Sequence, residues 1–91
     1  MLRMIVKAST SQERVLALYG TIAGPEVGLL ATEGQRHLTQ TTSLILDLDG
    51  VQFIDRAGLA LLRRWDPSRL QLRGGTAFLK ALLAAEGLHS N

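Results

Sequence analysis

The stretch from Leu44 to Leu62 does most to limit what this chain can become. Leu44 to Leu48 is a nearly unbroken apolar run without the alternation of a half-exposed strand, and it reads as a strand covered on both faces, as in a parallel sheet. Asp49 and Gly50 read as a turn. A short extended piece then delivers Asp55 to the start of a helix over residues 56 to 65. Within that helix Gly58, Leu61, Leu62 and Trp65 recur at i, i+3, i+4 and i+7 and mark a buried stripe. Asp66 and Pro67 stop it, because proline disfavours helical backbone in the residue before it. A buried strand leading into a short amphipathic helix is the opening of a β–α–β unit, which points to a parallel sheet with helices packed on it.

The rest of the chain fits around that unit. Leu2, Met4 and Val6 alternate with Arg3, Ile5 and Lys7 and predict an edge strand over residues 2 to 7. Ser9 to Gln12 is a polar turn, and Val15 to Tyr19 is a second strand that closes a hairpin with the first. Gly20, Gly24 and Pro25 break it. Pro25 suits the first position of a helix, where its missing N–H is no loss, and Val27, Leu30, Ala31 and Leu38 keep a helical period over residues 25 to 38. Gly28 and Gly34 weaken that helix intrinsically. Thr39 to Ser43 is a loop. Leu70 and Leu72 alternate with Arg69, Gln71 and Arg73 in a short half-exposed strand, and Gly74 and Gly75 turn the chain. Phe78, Leu79, Leu82, Leu83 and Leu88 form the apolar face of a last helix that ends near Gly87. The predicted order is β-β-α-β-α-β-α: an α/β sandwich with a mostly parallel four-stranded sheet and about three helices, forming one domain over residues 1–91.

Several function classes are excluded at this level. The chain has 91 residues, no cysteine and two histidines, His37 and His89. Disulfides, thiol catalysis and cysteine-ligated zinc are therefore out. The net charge of +2 is mild, and with four aromatic side chains from one Trp, one Tyr and two Phe, there is little with which to stack nucleic-acid bases. No run reaches the 18 or so apolar residues of a membrane span, and the first residues turn polar too soon for a signal peptide, so a cytoplasmic location is expected. Asp47 and Asp49 share a strand face and stand near Asp55, but they lack the further ligands of a calcium loop, so no metal site is expected. The loop hydroxyls Ser9, Ser11, Thr41, Thr42 and Ser43 have no adjacent base to activate them. No phosphate-binding loop or dinucleotide fingerprint is present. Neither an enzyme nor a cofactor is expected.

The strand–loop–helix order, with Asp55, Gly58 and Leu59 opening the helix, resembles the signature of the STAS family, and the resemblance runs over about residues 4 to 88. It implies the STAS fold and a function through protein contact, as in anti-sigma factor antagonists, which bind a kinase-like anti-sigma factor and free the sigma factor. Regulatory members carry a phosphorylatable Ser or Thr directly after the Asp. Here that position is Arg56, so no phosphoacceptor is expected. A second departure lies after the second strand, where the family's Gly-x-Ile/Leu-Asp pattern reads Gly20, Thr21, Ile22 and Ala23.

Asp55 has two compatible readings: a structural N-cap, or part of a partner contact. Arg56 is either a solvated cation or an interface residue suited to bidentate contact with a carboxylate or phosphate. Arg56, Ala60, Arg63 and Arg64 fall away from the buried stripe, and Leu59 beside them is expected to be partly exposed. The expected partner-binding set is Asp49, Asp55, Arg56, Ala57, Gly58, Leu59, Ala60 and Arg63. The resemblance also allows a stand-alone STAS subunit bound to the ATPase of a lipid-transport ABC complex, because the run Gly58 to Leu62 is similar to the corresponding helix there, or a sensory scaffold. The edge strand at residues 2 to 7 offers a route to a weak homodimer.

Overall fold

A computed structural model describes residues 1–91. The order of elements is β1 (Leu2–Ser9), β2 (Glu13–Ile22), α1 (Glu26–Gln40), β3 (Ser43–Ile54), α2 (Arg56–Arg64), β4 (Leu70–Arg73) and α3 (Ala77–Ala85). The strands form one sheet in the order β1-β2-β3-β4. β1 and β2 pair antiparallel, with Met4 opposite Leu18 and Ile5 opposite Ala17. β2 with β3 and β3 with β4 pair parallel, with Leu16 beside Leu46 and Leu46 beside Leu72. The β-β-α-β-α-β-α order and mostly parallel sheet agree with the sequence.

The core is a leucine-rich layer between this sheet and the helices. Leu16 and Leu18 of β2, Leu44, Leu46 and Leu48 of β3, and Leu70 and Leu72 of β4 all belong to it. From above, Leu30 and Leu38 of α1, Leu61 and Leu62 of α2, and Leu79 and Leu83 of α3 close it. Each of these side chains contributes roughly 1.5–3 kcal/mol by leaving water.

The helices cover one face of the sheet. The two crossovers, β2-α1-β3 and β3-α2-β4, step in the same direction, and right-handed crossovers of that kind place their helices on the same side. This corrects the reading of β3 as a strand covered on both faces. Ile45 points away from the helices and is still buried, because it stands between Val15 and Gln71 on the neighbouring strands.

Several boundaries also differ. β3 does not end in a turn at Asp49 and Gly50 but runs on to Ile54 as one twelve-residue strand. Register shifts relative to β2, between Ala17 and Tyr19 and again between Gly20 and Thr21, absorb the extra residues, and such bulges bend a strand without terminating it. β2 spans ten residues, so its pairing extends well past Val15–Tyr19. Pro25 occupies the cap position of α1, which starts at Glu26 and runs to Gln40. Trp65 caps α2 in extended conformation. Phe78, expected on the buried face of α3, is 57% exposed. No helix is long and apolar enough to cross a membrane.

Candidate functional site

The site begins where β3 hands over to α2. Asp55 has extended backbone (φ −82°, ψ 178°) and caps the helix, with one carboxylate oxygen accepting from the Gly58 N–H at 2.8 Å. Its second oxygen accepts from the Gly24 N–H at 3.0 Å, and its own N–H donates to the Ile22 carbonyl at 3.0 Å. Asp55 thus ties the start of α2 to the loop after β2. The amides of Gly24 and Gly58 hold its carboxyl below the usual range by stabilising the anion. Gly24 can present its N–H here because its φ of +60° is open to glycine.

Gly58 is buried against the end of β2. A Cβ at this position would lie 2.7 Å from Ile54 Cγ2 and 2.9 Å from the Ile22 carbonyl oxygen. Leu59 is buried as well, 9% exposed and part of the core, which corrects the expectation that it is partly exposed. The first turn of α2 approaches Ile22 and Ile54 closely at Gly58. Gly58 and Leu59 therefore shape the site from beneath.

What α2 shows to solvent is Arg56, Ala57, Ala60, Arg63 and Arg64. Arg63 pairs with Glu86 at 3.1 Å. Arg56 and Arg64 take part in none of the three ion pairs of the molecule, which are otherwise those of Met1 with Glu26 and Arg36 with Glu33. The helix carries no acidic residue in its first turn, so the surface is a small apolar strip framed by cations.

Asp49 lies apart from this strip. Its carboxylate accepts from the Gly75 N–H at 2.8 Å and holds the turn after β4, while its own N–H donates to the Asp47 carboxylate at 3.0 Å. The carboxylates of Asp47, Asp49 and Asp55 are each held by different backbone N–H groups, and no group of three acidic or histidine side chains converges anywhere in the chain.

A polar network at the far end of the sheet has no local signal in the sequence. Buried His37 meets Arg14 through Nδ1 at 2.8 Å, and Arg14 also donates to Gln40 at 2.7 Å and to Ser9 at 3.0 Å. A guanidinium only donates, so Nδ1 accepts and the ring is neutral. Burial and the Arg36 and Arg14 charges push its pKa down. The only hint in the sequence is a histidine placed on the inner face of α1.

The comparisons with known proteins fall on this same framework. The family model described as "Mlab, STAS domain" matches residues 5–90, and the chain belongs to the STAS family. Among solved structures, the anti-sigma factor antagonist SpoIIAA in its unphosphorylated form is similar with a TM-score of 0.69 at 15% identity, covering 98% of this chain and 87% of that one. The Bacillus cell fate determinant SpoIIAA in the phosphorylated form gives 0.69 at 15% identity, with coverages of 98% and 91%. An anti-sigma factor antagonist from Mycobacterium paratuberculosis gives 0.68 at 17% identity, with coverages of 99% and 85%. At these identities the likeness establishes the SpoIIAA-like fold. No curated protein matches the sequence.

Proposed function

We propose that this chain is a single STAS domain that acts as a non-enzymatic, protein-binding regulator of the anti-sigma factor antagonist type. Its contact surface is the exposed strip of α2: Arg56, Ala57, Ala60 and Arg63. The observation that carries this reading is Arg56, an exposed cation at the first position of a helix with no acidic partner in its own chain. A cation beside the positive end of the helix dipole is slightly unfavourable, and an acidic group on a partner would offset that cost through charge-assisted hydrogen bonds. Asp55 and Gly58 hold the helix start in place and Leu59 supports it from the core, while Asp49 fixes the turn after β4, away from this surface. By resemblance the partner is a kinase-like anti-sigma factor in the cytoplasm. With arginine where regulatory relatives carry a hydroxyl, binding is constitutive or controlled by something other than phosphorylation at this position.

A second reading, a fixed subunit bound to a transport ATPase, is favoured by the same arginine. A permanent subunit has no need of phosphate-controlled release, and the run Gly58 to Leu62 is similar to the helix of such subunits. Affinity capture from lysate of the source cell, with the wild-type chain beside Arg56→Glu, followed by mass spectrometry, separates the two. A kinase-like anti-sigma factor lost by Arg56→Glu supports the first reading, and a transport ATPase moves the protein to the second. A partner set unchanged by Arg56→Glu removes α2 as the contact surface.

A further inference from the structure

The sheet has a second, bare face. Ile5, Ala17, Asp47 and Arg73 stand in one row across the four strands, and Arg3, Tyr19 and Gly50 stand in the next. These side chains alternate with those of the leucine core, so they point away from the helices. Val15, Ala17 and Ile45 are buried yet lie outside the contiguous core cluster, as expected for the opposite face. Ile5 and Phe53, on the same face, are 40% and 42% exposed. The Tyr19 ring lies across Gly50 and leaves no room there for a Cβ. The Arg3 guanidinium sits 5.4 Å from the centre of that ring, within cation–π range.

Two arginines of this face are placed at its margins, while the carboxylate of Asp47 stands on the inner strand β3 beside Arg73. Arg3 is on β1 and Arg73 on β4, the two outer strands, and neither belongs to any ion pair of the molecule. Three strand spacings of about 4.8 Å and an offset of two residues set their backbones roughly 16 Å apart. An α-helix with its side chains is about 10–12 Å wide, so one fits between them. A helix laid on a sheet is also the usual way an apolar sheet face is covered.

We propose that this face docks an amphipathic helix of a partner protein, one whose apolar stripe is bordered by acidic residues on both flanks. The stripe would rest on Ile5, Tyr19 and Phe53, and the acidic flanks would meet Arg3 and Arg73. A second copy of this chain laid face to face would bring the same arginines to its margins and set its one carboxylate of that row, Asp47, inside them, so charge complementarity at the flanks selects an acidic helix. The surface lies on the side of the molecule opposite the exposed strip of α2, so both can be occupied at once.

The test is an NMR titration of the ¹⁵N-labelled full chain with a synthetic peptide of about 16 residues, long enough to approach helical stability, with a Leu/Ile stripe flanked by Glu on both sides. Expected are saturable shifts centred on the amides of Ile5, Ala17, Tyr19 and Phe53. Arg3→Glu and Arg73→Glu each weaken binding by roughly tenfold, as does Phe53→Ala, in line with an anchor residue, while circular dichroism stays that of the wild type. The double charge reversal binds the Lys-flanked version of the peptide in place of the Glu-flanked one. Arg56→Glu leaves the titration unchanged, so failure here is separate from failure at α2. Absence of binding, equal binding of the Glu- and Lys-flanked peptides, or shifts centred on α2 would overturn the proposal. Binding of anionic phosphatidylglycerol vesicles without binding of the peptide would overturn it too, and would assign the face to lipid.

Discussion

The indole of Trp65 lies against the bare α-carbon of Gly34: a Cβ added to Gly34 would stand 2.6 Å from Trp65 Cζ2 and 2.7 Å from Cη2. This contact joins the middle of α1 to the end of α2, and it makes sense of a glycine that otherwise weakens its helix. Gly34→Ala gains up to about 1 kcal/mol of helix propensity but forces the ring aside, and overpacking of that kind costs about 1–3 kcal/mol. The expected net effect is destabilisation by about 1 kcal/mol in urea unfolding. In a Trp65→Leu background the clash is gone, and the same Gly34→Ala change should stabilise. If Gly34→Ala stabilises the wild-type chain as much as it stabilises the Trp65→Leu chain, the two residues are not coupled.

Leu59 and Ala60 are neighbours on α2 with opposite fates. Leu59→Ala opens a cavity in the core and should cost about 2–4 kcal/mol, seen as a lower urea midpoint. Ala60→Glu faces water and should leave the midpoint within about 0.5 kcal/mol of wild type, while weakening capture of whatever binds α2. Equal stability of the two variants would mean that Leu59 is not packed as described.

These residues also show what was legible in the sequence. The order of elements could be read because glycine and proline punctuate it and because the apolar period changes cleanly from strand to helix. The course of β3 could not. Asp49 and Gly50 have the composition of a turn, and only the register with β2 reveals that bulges let the strand continue. The burial of Leu59 is hidden in the sequence for a related reason. The 3.6-residue stripe through Gly58, Leu61, Leu62 and Trp65 leaves it at the margin of the buried arc, and the close approach allowed by Gly58 draws that margin into the core. Asp55 as a cap was readable from position alone, whereas its second bond to Gly24 spans 31 residues and has no local signal. The pairing of Arg14 with His37 is likewise a product of the tertiary fold.

That pairing carries a pH dependence of definite sign. The folded chain holds His37 neutral with its pKa below the ordinary 6.5, because burial and the Arg36 and Arg14 charges oppose protonation. Glu33 acts the other way, and Gln40 shares Arg14 with the ring. As the pH falls, the unfolded chain takes up this proton first. Stability is therefore complete above about pH 6.5 and declines as the pH drops below it toward the folded pKa. Urea midpoints at pH 7.5, 6.5 and 5.5 should fall over the last step for wild type. His37→Gln keeps an acceptor for Arg14 without the titration, so its midpoints should stay level. A wild-type decline that survives in His37→Gln would assign it to another group.

Arg56 makes a prediction about regulation. A phosphoserine at the first position of α2 would add about −1.5 to −2 charges beside the exposed N–H groups of the helix. Arginine cannot accept that phosphate, so treatment of the chain with λ-phosphatase should leave its affinity for a captured partner unchanged. A large change on phosphatase treatment would locate control at another hydroxyl and remove Arg56 from the account of constitutive binding.

Asp55 supports the last prediction, because its two carboxylate oxygens serve two different segments. Asp55→Ala releases both the Gly58 and the Gly24 N–H and should lower Tm. Asp55→Ser can still cap Gly58 through its hydroxyl but cannot reach both donors at once, so it should recover only part of the loss. Amide exchange distinguishes the two bonds: in Asp55→Ser the Gly58 amide should remain protected while Gly24 exchanges quickly. The folded pKa of this carboxyl is depressed by those same amides. Its contribution is therefore full above the ordinary carboxylate pKa near 3.8 and is lost as the pH falls through the depressed value. The difference in stability between wild type and Asp55→Ala should be constant near neutrality and shrink only in strong acid. A difference that already shrinks at pH 5 would show that the two amides do not hold the carboxylate in its ionised form, and Asp55 would then be an ordinary surface cap with no tie to the loop after β2.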